Sequence, residues 1–334
     1  MDFDAIAADL IRALRGRRSQ TAFSRRLGYR SNVVYRWEAG RAWPTAAVAL
    51  RAARRVGVDL KAGLRRFHRS ELRWLERTDP ATPEGVALML RDLRGSTPIG
   101  ELAKRAKRSR FAVSRWLKGE AEPRLPELLL MVEACSLRLL DWLTILVDPS
   151  KLPSTAREWE ELGAARESAY SMPWSHAIMR TLELEDYQAL ARHEDGWIAR
   201  RLGIPREEAE RCLELLAKTR QIRKQGQRWV VDQSRVVDTR AAPERSREVK
   251  DWWTRVALDR IRAGQGLVFS YNLFSVSSAD LDLIQEAYRA FYQQMRTIIA
   301  ESEPNQQVVL FLAQMVPLAP PAASAAEQAT RGPK

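Results

Sequence analysis

Cysteine and histidine are scarce in this chain of 334 residues, which holds two of the first and three of the second. Cys135 and Cys212 lie far apart, each inside an apolar helical pattern, so we expect buried free thiols rather than a disulfide or a metal pair. The histidines His68, His176 and His193 are isolated in the sequence. We therefore expect them in core or surface roles, and we expect neither a metal nor a cofactor.

Long apolar runs are also missing. No run approaches the roughly 18–20 residues that a membrane-spanning helix needs. The first four residues, 1–4, are acidic overall and are not followed by the apolar core of a secretory signal. We therefore expect no membrane contact and a cytoplasmic location.

The usual catalytic motifs do not occur either. There is no glycine-rich phosphate loop, no HExxH, no paired CxxC and no nucleophile elbow. The acidic run 158–161 is more typical of a solvated helix face than of a catalytic carboxylate pair. Trp252 and Trp253 could line a ligand pocket, but aromatic residues on a helix more often belong to a core. We expect that the protein is not an enzyme.

Positive charge is what the chain has in excess, with 55 lysines and arginines against 42 acidic residues and a net charge of +13. Residues 1–80 hold 18 basic and 8 acidic residues, and residues 81–151 hold 12 and 9. The remainder, 152–334, is balanced at 25 and 25. A merely solubilising charge would be spread evenly. The uneven distribution indicates a polyanion-binding part joined to a neutral one.

Apolar residues recur at helical spacing up to about residue 265, which predicts a mainly helical protein. Breaks rich in proline, aspartate and serine fall at 78–83, 148–153 and 238–246. These breaks predict four domains and a disordered Ala- and Pro-rich tail. Their expected bounds are 1–78, 84–148, 155–238 and 246–317, with the tail at 318–334.

An internal repeat is the strongest pattern, with an offset of 79 residues set by Trp37 and Trp116. Other identical pairs at this offset include Arg26/Arg105, Val34/Val113, Arg36/Arg115, Gly40/Gly119 and Pro44/Pro123. So many matches at one offset indicate a duplicated folding unit.

The first copy of the repeat has the pattern of two short helices joined by a tight turn. Gly28 suits the turn, because glycine takes positive φ without strain. In the second helix Val34 and Trp37 are predicted to face inward, while Asn32, Tyr35 and Arg36 face outward. This is a helix-turn-helix, whose second helix can lie in the major groove of DNA. Asparagine and arginine on its outer face are suited to read adenine and guanine.

The first copy resembles the phage-repressor or Cro-like helix-turn-helix family. The resemblance lies in Ser19-Gln20, Phe23-Ser24, Leu27-Gly28 and Trp37-Glu38-x-Gly40-x-x-x-Pro44. It implies that Gln20 anchors the module to a phosphate. It also implies that Ser31, Asn32 and Arg36 touch bases. Phe23-Ser24 replaces the Leu-Ala pair usual in the family.

The second copy keeps that pair as Leu102-Ala103, but Lys107 stands at the turn glycine and Ile99 at the glutamine. Its DNA-contacting residues are predicted to be Arg108, Arg110, Phe111 and Arg115.

Residues 175–231 form a third pattern: a helix, a turn, a second helix and a β-hairpin with its turn at 225–226. This order resembles a winged helix. The outer face of the second helix carries Glu207, Glu210 and Glu214, which favour protein packing over DNA contact. On the hairpin Lys224 and Arg228, together with Arg223, could still touch the DNA backbone.

Residues 246–317 predict a small α+β domain. A helix containing Trp252 and Trp253 precedes a strand at 267–276, a long helix at about 279–301 and a second strand at 308–317. Residues 155–318 resemble a bacterial family of uncharacterised proteins regarded as transcriptional regulators. We expect a homodimer through 246–317, and a protein partner or small-molecule signal for this half is left open.

Two functions remain open at this point. The first is a sequence-specific, double-stranded-DNA-binding transcriptional regulator. The second is an adaptor that uses helix-turn-helix folds to dock on other proteins. The residue types at 31, 32, 36, 110 and 115 favour the first.

Overall fold

The computed structural model describes residues 1–68, 72–95, 97–232, 242–266 and 268–318. Within these residues the chain forms eighteen α-helices, one 3-10 helix and one two-stranded antiparallel sheet. The predicted mainly helical fold is therefore confirmed. Across the same residues, no helix is both long enough and apolar enough to cross a membrane.

Five helices form the first helix-turn-helix module. They are α1 (Phe3–Arg15), α2 (Gln20–Arg26), α3 (Val33–Glu38), α4 (Ala46–Arg55) and α5 (Leu60–His68). The side chains of Asp2, Ser19 and Asn32 each accept a hydrogen bond from a backbone N–H in the first turn of α1, α2 and α3. These caps explain where the helices begin.

The second module repeats this order after the short helix α6 (Trp74–Arg77). Its helices are α7 (Pro83–Arg94), α8 (Ile99–Arg105), α9 (Arg110–Lys118), α10 (Leu125–Ser136) and α11 (Leu139–Leu143). Thr82 caps α7 and Ser109 caps α9 through their hydroxyl oxygens. The duplication predicted from the sequence is therefore present as five pairs of helices.

The two modules share one hydrophobic core. It extends without interruption from Ile6 to Leu162 and includes Trp37 and Trp116, each only 6 % exposed. The 3-10 helix Pro149–Lys151 and helix α12 (Ala156–Ser171) close it at one end.

A second core lies under the hairpin. It is formed by α13 (Trp174–Leu182), α14 (Glu185–Gln188), α15 (Trp197–Leu202), α16 (Arg206–Lys218), β1 (Ile222–Gln225) and β2 (Arg228–Val231). The strands pair Ile222 with Val231, and the turn between them is at 226–227, one residue later than predicted. The hydroxyl of Tyr187 accepts a hydrogen bond from the backbone N–H of Trp229 at 3.2 Å, which fixes the hairpin to α14.

Two long helices follow, α17 (Pro243–Arg262) and α18 (Ser278–Glu301). Arg260 of α17 donates to the backbone oxygens of Leu202 and Gly203 at the end of α15. Trp174 of α13 lies edge-on to both Trp252 and Trp253, with ring centroids 5.3 Å apart in each case. The two tryptophans are half-buried and pack against Trp174, but they belong to neither hydrophobic core.

The strands predicted at 267–276 and 308–317 are not formed. Residues 268–277 and 302–318 have no regular secondary structure, whereas the long helix between them lies where it was expected. A short run rich in apolar and β-branched residues predicts a strand, but a strand needs a partner for its backbone N–H and C=O groups. Neither segment pairs with another within the described residues. Residue 267 and all of the expected tail except Leu318 lie outside the described residues.

Candidate nucleic-acid interface

The N-terminus of α3 is fixed by a small hydrogen-bond network around Asn32. Its Oδ1 accepts from the backbone N–H of Tyr35 at 3.3 Å and from the hydroxyl of the buried Ser24 at 3.2 Å. Ser24 in turn accepts from the backbone N–H of Val34. The Tyr35 N–H and the Ser24 hydroxyl both bond to the oxygen of the Asn32 amide, so the NH₂ group of Asn32 is left available to donate outward.

The outer face of α3 is composed as the helical period predicts. Val34 and Trp37 are buried, and Trp37 lies edge-on to Tyr29 with ring centroids 5.6 Å apart. Ser31 and Arg36 are exposed, and Tyr35 is 46 % exposed. Within the described residues the Arg36 guanidinium has no hydrogen-bond or ion-pair partner. Its five donors are therefore free to meet a ligand.

Arg41 belongs to the same surface, although the sequence pattern did not indicate it. Its guanidinium carbon lies 5.6 Å from the ring centroid of Tyr35. The contact arises because the loop after α3 folds back, with the backbone N–H of Arg41 donating to the carbonyl of Arg36 at 2.9 Å. Arg41 lies beyond the helix, so helical spacing could not have indicated this position.

Gln20 lies at the start of α2, half-buried, and is held by a neighbour. Its Nε2 donates to Oε2 of Glu38 at 2.7 Å, and Nε of Arg15 donates to Oε1 of the same carboxylate at 2.6 Å. Glu38 is buried, and this pairing compensates for the loss of its hydration. The network joins α1, α2 and α3, and one N–H of the Gln20 amide has no partner within the described residues.

The second module presents a comparable face on α9. Arg108, Arg110 and Phe111 are exposed, and Phe111 is 71 % exposed. Arg115 is half-buried, with its guanidinium carbon 5.5 Å from the Phe111 ring centroid and Nη2 donating to the carbonyl of Glu120 at 3.4 Å. Its position is thus more constrained than that of Arg36.

The turn between α2 and α3 and the turn between α8 and α9 each contain a residue in the left-handed backbone conformation. Gly28 has a φ of 92°, and Lys107, at the equivalent position, has a φ of 48°. The lysine therefore enters the left-handed region that the sequence pattern reserves for glycine, at an energetic cost that glycine does not carry. Lysine thus replaces the glycine at position 107, but the turn between α8 and α9 still forms.

The hairpin packs on the second core through Ile222, Trp229 and Val231, whereas α3 and α9 belong to the first. Lys224 lies over the ring of Trp229 at 5.2 Å, and Arg228 is half-buried. Arg223 forms an ion pair with Asp232 at 2.8 Å. On α16 the exposed face carries Glu207, Glu210 and Glu214, but Arg206, Arg211 and Lys218 are exposed there as well. Arg206 forms an ion pair with Glu210, so this face is mixed in charge rather than acidic.

Neither cysteine has the character of a reactive thiol. Both are free, and burial raises the pKa of Cys135 and that of Cys212 to about 12. Burial also lowers the pKa of His176 to about 4, with a smaller contribution from Arg180. These groups are therefore neutral at physiological pH. Cys212 is buried as expected, whereas Cys135 is half-buried.

Comparisons with known families match two separate parts of the chain. Residues 11–62 match the family model described as helix-turn-helix, and residues 153–318 match a domain of unknown function (DUF4423). The second match agrees with the extent of 155–318 inferred from the sequence. No curated protein and no solved structure matches the chain. The second module lies outside residues 11–62, so its equivalence to the first rests on the repeat and on the paired helices. The N-terminal module is thus a helix-turn-helix, a fold that binds DNA.

Proposed function

We propose that the protein is a sequence-specific, double-stranded-DNA-binding transcriptional regulator. The observation that supports this most is the outer face of α3. There the exposed Arg36 has no partner within the described residues, and Asn32 is held with its NH₂ group available. Arginine pairs with guanine O6 and N7, and asparagine reads adenine.

Charge supports the same proposal. Residues 1–80, which contain α3, hold 18 basic against 8 acidic residues, whereas residues 152–334 are balanced. A basic surface beside the reading helix supplies the phosphate contacts that position it on the duplex. Residues 155–318 resemble a bacterial family, and in a bacterium the chromosome lies in the cytoplasm. We therefore expect a protein with this function there.

A binding titration with the full chain tests the proposal. Duplexes enriched from a random library serve as specific DNA, and unselected duplexes serve as random DNA. We expect Arg36→Ala to weaken specific binding by about 1–3 kcal/mol and to leave random binding little changed. Gln20→Ala should weaken both by a similar factor, because a phosphate contact carries no sequence information.

Arg247→Ala, which removes an exposed arginine from α17, is the matched control and should change neither affinity. The log of the affinity should also fall linearly with the log of the salt concentration. Equal losses on specific and random DNA in Arg36→Ala would show that α3 does not read sequence.

The adaptor function has one observation in its favour. Phe111 and Tyr35 expose aromatic rings on the two helices that would face DNA. Exposed aromatic residues are common in protein interfaces. If no duplex is enriched at any salt concentration, protein docking becomes the better account of these helices.

For the C-terminal region, we infer a homodimer. Exposed apolar side chains concentrate in residues 268–276, on α18 and in 309–318, among them Val268, Tyr271 and Ile298. Tyr271 is 94 % exposed, and soluble monomers rarely expose continuous apolar surface on this scale. A second copy suits it, because two unpaired extended segments can pair with their own equivalents across a twofold axis.

Sedimentation of the full chain at tens of micromolar should therefore show a dimer. Phe269→Asp with Leu273→Asp should shift it towards monomer. Phe111→Asp, which changes an exposed aromatic residue elsewhere, should not. A wild-type chain that sediments as a monomer at this concentration would contradict the inference. In this proposal the hairpin unit is a winged-helix-like packing module, and a signal or protein partner for the C-terminal half stays a prediction.

A further inference from the structure

The two helix-turn-helix modules face each other across a short antiparallel contact. The backbone N–H of Ala46 donates to the carbonyl of Pro123 at 2.9 Å, and that of Leu125 donates to the carbonyl of Pro44 at 2.9 Å. Thr45 and Arg124 form the bridge between these bonds. In each bond, the donor is the residue that follows one member of the bridge, and the acceptor is the residue that precedes the other member.

These contacts are reciprocal under the 79-residue repeat. Adding 79 to 44, 45 and 46 gives 123, 124 and 125, so each of the two hydrogen bonds is the equivalent of the other. The helices obey the same rule. α1 packs against α10 and α7 packs against α4, and α1 and α4 are the equivalents of α7 and α10.

Reciprocal contacts between equivalent surfaces are the mark of a twofold axis. In a homodimer this axis relates two chains, whereas here it relates two modules of one chain that are buried in one core. Helices α3 and α9 are also equivalent under the repeat, so the same approximate twofold axis relates them. A single chain therefore holds the arrangement that helix-turn-helix proteins usually obtain from two chains.

The two reading faces are not identical. Arg36 and Arg115 are equivalent under the repeat, so both faces carry an arginine suited to guanine. Asn32, which suits adenine, is replaced at the equivalent position by Phe111, whose ring suits the methyl group of thymine. The two faces should therefore prefer half-sites that share a G·C pair and differ beside it.

We propose that α3 and α9 of one chain read the two halves of a single inverted DNA site whose halves differ in sequence. This inference rests on the DNA binding proposed above. Because the axis relates the modules by a half-turn, the half-sites run in opposite directions on the duplex. Their centres should lie about one helical turn apart.

Selection from a random duplex library with the full chain tests this arrangement. We expect an inverted motif with unequal halves, and one duplex bound per chain at saturation. Repeating the selection with Arg36→Ala should erase the G·C preference in one half only, and with Arg115→Ala in the other half only. Each variant keeps preference in the half that it does not touch, which shows that it is folded.

A matched DNA control keeps the base composition and changes only the geometry. Reversing one half-site converts the inverted motif into a direct repeat, and we expect at least about a tenfold loss of affinity. No loss would overturn the inference. So would a perfect palindrome bound by two chains, a single half-site, or two arginine variants that affect the same half. Failure to enrich any duplex is a different result, since it would overturn the proposed DNA binding itself.

Discussion

At the scale of single residues, buried ionisable groups report on how the cores are built. His176 lies on α13, a helix of the second core, and burial of its side chain lowers its pKa to about 4. An unfolded chain would restore the ordinary value near 6.5. The difference couples the stability of this core to pH.

We predict that stability falls as the pH drops from about 6.5 to about 4. In that range the unfolded chain binds a proton at His176 and the folded chain does not, so protons favour unfolding. The loss from this one group should reach at most about 3 kcal/mol. Urea unfolding at a series of pH values, followed in the wild type and in His176→Gln, measures it.

The difference between the two curves isolates this group, because the carboxylates that also titrate there are common to both proteins. A variant whose stability keeps the full pH dependence of the wild type would show that His176 is not the group responsible.

The sequence indicated some of these residue positions and could not indicate others. Helical spacing was enough to turn Trp37 inward and Arg36 outward, because both lie within one helix. It could not indicate Arg41, whose position depends on a loop that folds back. Nor could it join Gln20 to Glu38, since that contact brings together two helices whose crossing the pattern does not fix.

At the scale of elements, turns were easier to predict than strands. The turn after α2 needs a left-handed residue and carries Gly28, and the equivalent turn after α8 forms although its residue is Lys107. Packing of α8 against α9 therefore imposes this conformation on the lysine. The strands at 267–276 and 308–317 failed as predictions because an apolar run shows that a segment favours burial and says nothing about a pairing partner.

We predict that Lys107→Gly stabilises the folded chain by about 0.5–1 kcal/mol. Removing the side chain relieves a left-handed conformation that costs a non-glycine residue about 1–2 kcal/mol. The greater freedom of glycine in the unfolded state offsets part of this gain. Thermal or urea unfolding of both proteins measures the difference.

Gly28→Ala is the matched change at the equivalent turn and should have the opposite sign. Its added Cβ would meet no heavy atom within 4 Å, so the loss would come from the backbone conformation alone. If Lys107→Gly destabilised the protein, the lysine side chain would have to make a favourable contact that outweighs the strain.

At the scale of the whole molecule, the chain is built around two cores with different charge. The N-terminal core carries both candidate reading helices and the positive excess, and the second core supports the hairpin. The breaks in the sequence predicted separate domains for the two modules at 1–78 and 84–148. Their apolar side chains nevertheless form one continuous cluster, because each module buries its first helix against the fourth helix of the other.

A shared core makes the two modules depend on each other. We predict that Trp37→Ala destabilises the N-terminal part of the chain by about 3–5 kcal/mol, because it removes a large buried aromatic side chain. Amide hydrogen exchange should then quicken in α9 and α10 as well as in α2 and α3, since opening one module exposes the surface on which the other packs. Exchange in α15 and α16, which belong to the second core, should keep its wild-type rate.

Trp116→Ala is the matched change in the second module, and it should likewise quicken exchange in the helices of both modules. Faster exchange confined to residues 1–68 in Trp37→Ala would mean that the modules unfold independently and that the twofold contact between them adds little to their stability.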